Sequence, residues 1–180
     1  MIELQQLTKV FPNGRGIFDV TFTVRQGEVF GFLGPNGAGK STTIRHLLGF
    51  LKPTKGRAFI HGFDCWRESV RVKALVGYLP GEIAFPEGMT GMELLDLLAG
   101  MRRMKTTRYR DELIERLQLD TRLPIRKMSK GTKQKVGLVA ALMHNPEVII
   151  LDEPTSGLDP LMQQTFIDLL REEKQKGKTI

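Results

Sequence analysis

Apolar positions change their spacing several times along this 180-residue chain, and each change marks a different element. Val20, Phe22 and Val24 alternate with threonines, the period-two pattern of a half-buried strand, so residues 1–33 read as a series of short strands. Val29-Phe30-Gly31-Phe32-Leu33 is a nearly continuous apolar run, suited to a parallel strand buried on both faces. Immediately downstream Ile44, Leu47, Leu48 and Leu51 recur at helical spacing. Arg57-Ala58-Phe59-Ile60 and Leu75-Val76-Gly77-Tyr78-Leu79 read as two further strands. Residues 90–144 then turn helical. Thr90-Gly91-Met92-Glu93 has capping-box spacing ahead of Leu94, Leu95, Leu97 and Leu98; Tyr109, Leu113 and Leu117 lie at i, i+4, i+8; Val136, Val139, Ala140 and Met143 line another helix. Val148-Ile149-Ile150-Leu151 returns to a buried strand. Asp159-Pro160 starts a last helix with proline at its first position, Met162, Phe166, Leu169 and Leu170 give it an apolar face, and Gly177 is placed to end it. Lys178-Thr179-Ile180 looks like the opening of one more strand, so the given sequence is expected to stop inside its fold.

Composition narrows the class without choosing a function. One domain's worth of chain, 41% hydrophobic and 26% charged, is ordinary for a globular protein, and no apolar run approaches the length of a membrane span. The N-terminus has neither a basic region nor an apolar core, so no signal peptide is read there and a cytosolic location is expected. Cys65 is the only cysteine, which excludes an internal disulfide and fits a reducing compartment. A formal charge of +7 suits nucleic acid, an anionic membrane surface or polyphosphate equally. The densest basic stretch, Arg102 to Arg110, lacks interleaved aromatics beyond Tyr109 and reads as a solvated helix face, so no specific nucleic-acid partner is expected.

Chemistry enters between the apolar run and the first helix. Gly34-Pro35-Asn36-Gly37-Ala38-Gly39-Lys40-Ser41-Thr42 matches the phosphate-loop pattern G-x-x-x-x-G-K-[ST] and sits where that pattern must sit, after a strand and before a helix. Glycines let backbone N–H groups turn toward phosphate oxygens, and the helix start adds its positive dipole end. Lys40 is placed to reach the β- and γ-phosphates, and Ser41 a magnesium ion. The second apolar strand ends in Asp152-Glu153. A buried strand delivers carboxylates with little conformational freedom, so Asp152 is read as the orienting group of the magnesium shell and Glu153 as the general base.

Met128-Ser129-Lys130-Gly131-Thr132-Lys133-Gln134-Lys135 then leads into an apolar helix. This segment resembles the L-S-G-G-Q signature of ABC ATPases, with Ser129 and Gly131 retained and Lys130 and Thr132 departing from it. Leu151-Asp152-Glu153-Pro154-Thr155-Ser156-Gly157-Leu158-Asp159 extends the resemblance through the acidic strand into that family's D-loop, ending at Asp159. The resemblance implies an α/β P-loop NTPase fold: a mostly parallel core sheet flanked by helices, an N-terminal antiparallel β subdomain and a helical insertion. On that scheme 1–180 is one ATPase domain, with 1–89 and 145–180 as the nucleotide-binding core and 90–144 as the helical part. It implies ATP and magnesium as cofactors, Phe11 stacking on adenine, and Ser129 and Gly131 holding the γ-phosphate bound to a second ATPase subunit. The implied partner is a transmembrane permease, driven from the cytoplasmic face of the membrane, in the manner of drug, antibiotic or lipid exporters.

Two departures stand against that scheme. Gly81, in Tyr78-Leu79-Pro80-Gly81-Glu82, occupies the place where the family's Q-loop has its glutamine, and none of His46, His61 or His144 is placed as its switch histidine. His144 instead reads as a residue at a helix C-terminus. Two other functions stay open on sequence: a soluble ABC ATPase of nucleic-acid or translation processes, and a nucleotide-binding module with little catalysis.

Overall fold

The computed structural model describes residues 1–180, which divide into two compact units, Met1–Val76 with Gly177–Ile180, and Gly77–Lys176. The first is built on an antiparallel sheet of order β2-β1-β3-β4, from β1 (Ile2–Val10), β2 (Gly16–Val24), β3 (Lys55–Ile60) and β4 (Phe63–Asp64). β1 lies centrally, pairing Ile2 with Val24 on one side and with Ile60 on the other. Of the alternating residues read from the sequence, Val24 is buried while Val20 and Phe22 are half-buried, and Ile2, Leu4, Leu7, Ala58 and Ile60 join Val24 inside. α1 (Lys40–Leu47) contacts β2 and β3, and buries Ile44 and Leu47. α2 (Ser69–Leu75) buries Val72 and completes the unit.

The run at 29–33 departs from expectation. These residues are assigned to no strand, Val29 is 52% exposed and Leu33 91%. The only backbone ladder on this run comes from the chain's last residue: Phe30 N–H donates to Ile180 O at 2.8 Å, and Ile180 N–H donates to Glu28 O at 2.9 Å. A both-faces-buried strand needs partners along both edges, and one residue of pairing does not supply them. The Phe22, Phe30 and Phe32 rings gather instead, with Phe22 and Phe30 stacked at 5.1 Å between centroids.

The second unit centres on α5 (Lys130–Leu142), against which α3 (Gly91–Met101) and α4 (Arg108–Arg116) pack. β5 (Val76–Leu79) pairs with β6 (Val148–Leu151), and α6 (Pro160–Gln175) follows. The capping box forms at α3: Glu93 N–H donates to Thr90 Oγ1 at 3.3 Å, and Thr90 N–H to a Glu93 carboxylate oxygen at 2.7 Å. That backbone hydrogen bond, with the Thr90 hydroxyl, lowers the pKa of the Glu93 carboxyl. At α6 the N-cap is Asp159, whose carboxylate accepts from Met162 N–H at 2.9 Å, with Pro160 at the first position.

The basic stretch is only partly a solvated face. Arg108 pairs with Glu112 one turn on, in the open, but Arg110 is 7% exposed and bonds both Asp111 and Asp96 of α3. Its aliphatic stem packs inside while its head is satisfied by two carboxylates. Tyr109 donates to fully buried Glu173 at 2.7 Å, and Arg116 forks onto Glu172, tying α4 to α6.

Candidate functional site

Residues 34–39 form a loop and Lys40 opens α1. Gly39, the N-cap, sits at φ +95° with its Cα face against β2, where a Cβ would fall 2.3 Å from Ile17 Cγ2; only glycine satisfies both conditions. The helix start has no side-chain cap and no acidic residue in its first turn. Its free N–H groups and positive end are therefore left to an outside anion. Lys40 curls back over the loop, its ammonium donating to Gly34 O at 2.6 Å and Pro35 O at 3.0 Å. Neutral carbonyls are weak partners for an ammonium compared with phosphate, so these bonds hold the loop closed and can be exchanged when phosphate arrives. Ser41 and Thr42 lie in the first turn of α1 behind Lys40. Phe11 lies in the β1–β2 turn, where its N–H donates to Arg15 O at 2.8 Å and Lys9 lies over its ring at 5.8 Å.

The acidic pair lies in the second unit. Asp152 follows β6, its N–H donating to Leu79 O at 2.9 Å, so the β5–β6 pairing runs on to the first carboxylate. Glu153 adopts a left-handed backbone, φ +48°, and the chain turns there, with Ser156 N–H donating to Glu153 O at 3.2 Å. Gly81 sits beside both: a Cβ there would lie 3.3 Å from Asp152 O and 3.7 Å from both Asp152 Cγ and Glu153 Cβ. The place read as the missing Q-loop glutamine thus abuts the carboxylates, while Glu82 is exposed.

Ser129 caps α5, accepting from Thr132 N–H at 3.1 Å, with the Thr132 hydroxyl 2.9 Å from its own. The start of α5 presses on the loop after β6. A Cβ on Gly131 would fall 2.5 Å from Gly157 O, and one on Gly157 2.9 Å from Lys130 Cγ. Two side chains complete the contact: Lys130 donates to Ser156 Oγ at 2.7 Å, and buried Gln134 donates to Pro154 O at 3.1 Å. Sequence reasoning missed both. Lys130 counted only as a departure from a signature, although a polar residue such as Gln134, one position off the apolar stripe of α5, must find a buried partner.

No group of three or more His, Cys, Asp or Glu converges anywhere in the chain. Magnesium does not need such a cluster, since it keeps several waters and takes one or two oxygen ligands beside its phosphates. His46 lies buried in α1 and His144 follows the end of α5.

A glycine loop opening an uncapped helix, with a strand ending in paired carboxylates, defines the phosphate-loop class of nucleotide-binding proteins. Within that class the chain belongs to the ABC transporter family, whose model matches residues 17–156. It is 37% identical over its whole length to an uncharacterized ABC transporter ATP-binding protein, YhcH, of Bacillus subtilis (strain 168), of which it covers 60%. It is 38% identical, over 89% of its length, to the bacitracin transport ATP-binding protein BcrA of Bacillus licheniformis, covering 53% of that protein. The chain thus spans about three fifths or less of these curated relatives. A solved structure described as the ATP binding subunit of an ABC transporter superposes with a TM-score of 0.89 at 32% identity, over 99% of this chain and 76% of that one. No helix is long and apolar enough to cross a membrane.

Proposed function

We propose that the protein is the ATP-binding and ATP-hydrolysing subunit of an ABC transporter, pairing with a second ATPase subunit and driving a separate permease from the cytoplasmic face of the membrane. The observation that carries this reading is the loop closed by Lys40 at an uncapped helix start, built to trade carbonyl oxygens for phosphate. Lys40 and the loop amides bind the triphosphate, and Phe11 stacks on the base. Magnesium, when bound, draws charge from the phosphate oxygens, and Ser41 with Asp152 are the oxygens this chain offers it. Glu153 takes the proton from the attacking water as general base. Ser129 and Gly131, at the start of α5, serve the nucleotide of the second subunit, and Asp159 anchors the loop between. Similarity to a bacitracin transport protein supports transport with an antibiotic as candidate cargo, and export is the direction this reading adopts.

One observation favours a second reading, a nucleotide-binding module with weak catalysis: Gly81 brings no side chain to the carboxylates it adjoins. Calorimetric titration with ATP and magnesium, beside a phosphate-release assay, separates the two. Binding with turnover supports the first and binding without turnover the second; no binding heat removes both.

A further inference from the structure

Lys40 and Lys130 stand at the same station on two different helices. Each is the first residue of its helix, Lys40 after the N-cap Gly39 and Lys130 after the N-cap Ser129, and no other helix of the chain opens on a lysine. Neither α1 nor α5 has an acidic residue in its first turn. By contrast Arg108, the cation that opens α4, is answered by Asp111 in that turn and by an ion pair with Glu112. Both lysines are held by neutral oxygen instead: Lys40 by two carbonyls, Lys130 by the Ser156 hydroxyl alone at 2.7 Å.

The start of α5 is crowded with positive charge. Arg126, Lys127, Lys130, Lys133 and Lys135 follow one another with no carboxylate between 126 and 135, and none of them forms an ion pair. The helix dipole adds to the strain, since cations are favoured at the opposite end of a helix. A sequence that breaks a local rule with no compensation inside the chain points to a compensating group outside it, here an anion.

The reading above already brings one there, the triphosphate held by a second ATPase subunit, at Ser129 and Gly131. The turn that holds Lys130 lies against this point. A Cβ on Gly131 would be 2.5 Å from Gly157 O and 4.0 Å from Ser129 Oγ, so the Ser156–Gly157 turn and the cap of α5 are neighbours and the ammonium has a short way to move. A hydroxyl is a weak partner for an ammonium beside a phosphate oxygen, as the carbonyls over Lys40 are. Gln134 keeps the loop anchored through Pro154 O when Lys130 lets go.

We propose that Lys130 is a second phosphate-binding lysine acting across the pair: its ammonium leaves Ser156 Oγ for the γ-phosphate of the nucleotide bound by the other subunit. This role rests on the paired-subunit reading and goes beyond it, because the family resemblance gives that contact to Ser129 and Gly131 and counts Lys130 only as a departure.

Sedimentation of the full chain with magnesium and a non-hydrolysable ATP analogue measures pairing. A fluorescent form of the analogue, added to chain too dilute to pair, measures capture by the phosphate loop. Lys130→Ala, at an exposed position, is expected to weaken pairing about a hundredfold, about tenfold for the charge-assisted bond lost at each nucleotide, and to change capture by less than about twofold. Lys130→Arg keeps the charge and the donors and is expected to recover most of the pairing. Ser156→Ala removes only the resting partner and is expected to pair as well as the wild type or better. A Ser156→Ala chain that pairs as poorly as Lys130→Ala would make Lys130 a brace for its own loop and overturn the proposal. Undiminished pairing in Lys130→Ala would overturn it too, and would leave the paired-subunit reading standing. Capture lost together with pairing would put Lys130 at its own subunit's nucleotide and likewise overturn the role across the pair. A wild-type chain that captures the analogue but stays single would take away the paired-subunit reading and this role with it.

Discussion

The loop that opens α1 and the loop that follows β6 carry the groups assigned to ATP, and they are held in opposite ways. The first is held from within, by glycine geometry and by Lys40 folded onto its own carbonyls. The second is held from outside, by Gln134 and Lys130 of α5 and by glycine contacts that no larger residue fits. Self-held contacts can be exchanged for a ligand at little structural cost, whereas braced ones transmit the position of a helix to the loop. The difference teaches that capture of the triphosphate and alignment of the carboxylates depend on separate residues, and can be damaged separately.

The comparison breaks most visibly at Glu153. In a chain extended as far as its relatives, Glu153→Gln is expected to bind ATP normally while turnover falls by about two to four orders of magnitude, the usual worth of a positioned base. Phosphate release beside a binding isotherm measures both, and retained turnover would strip Glu153 of its role. Lys40→Ala is expected to do the reverse, weakening ATP by about 2–4 kcal/mol because a buried phosphate charge loses its partner. Titration calorimetry on the folded variant reads that loss directly.

Gln134→Leu sharpens the outside-held half. It leaves the half-buried Pro154 O without its donor, at a cost of about 1–3 kcal/mol in denaturant unfolding, and turnover should fall further than ATP affinity. Equal loss of both would mean that α5 does not align the loop. The smallest effect belongs to Glu82→Gln. Since Glu82 points to solvent while Gly81 adjoins the carboxylates, basal ATPase activity should need the same magnesium concentration as the wild type. A raised magnesium requirement would place Glu82 at the metal.

Local chemistry was the legible part of this chain. The capping box at Thr90, the Asp159-Pro160 helix start and the helix that opens at Lys40 depend on residues a few positions apart, and all stand where spacing put them. What escaped depends on partners distant in sequence. The run at 29–33 has the composition of a central strand, but composition does not supply neighbours, and here one residue pairs with it. Arg110 reads as surface because Asp96, which engages it from α3, stands 14 positions away and meets it only after folding. Lys130 and Ser156 stand 26 positions apart, so no periodicity connects them.

The backbone of Glu153 carries a last consequence. A side chain at φ +48° is held where glycine would rest more easily, at a penalty on the order of 1 kcal/mol. Directed evolution for heat resistance alone would therefore drift toward glycine here, and with Glu153 as the proposed base the hardiest descendants would be the ones that had stopped turning over ATP.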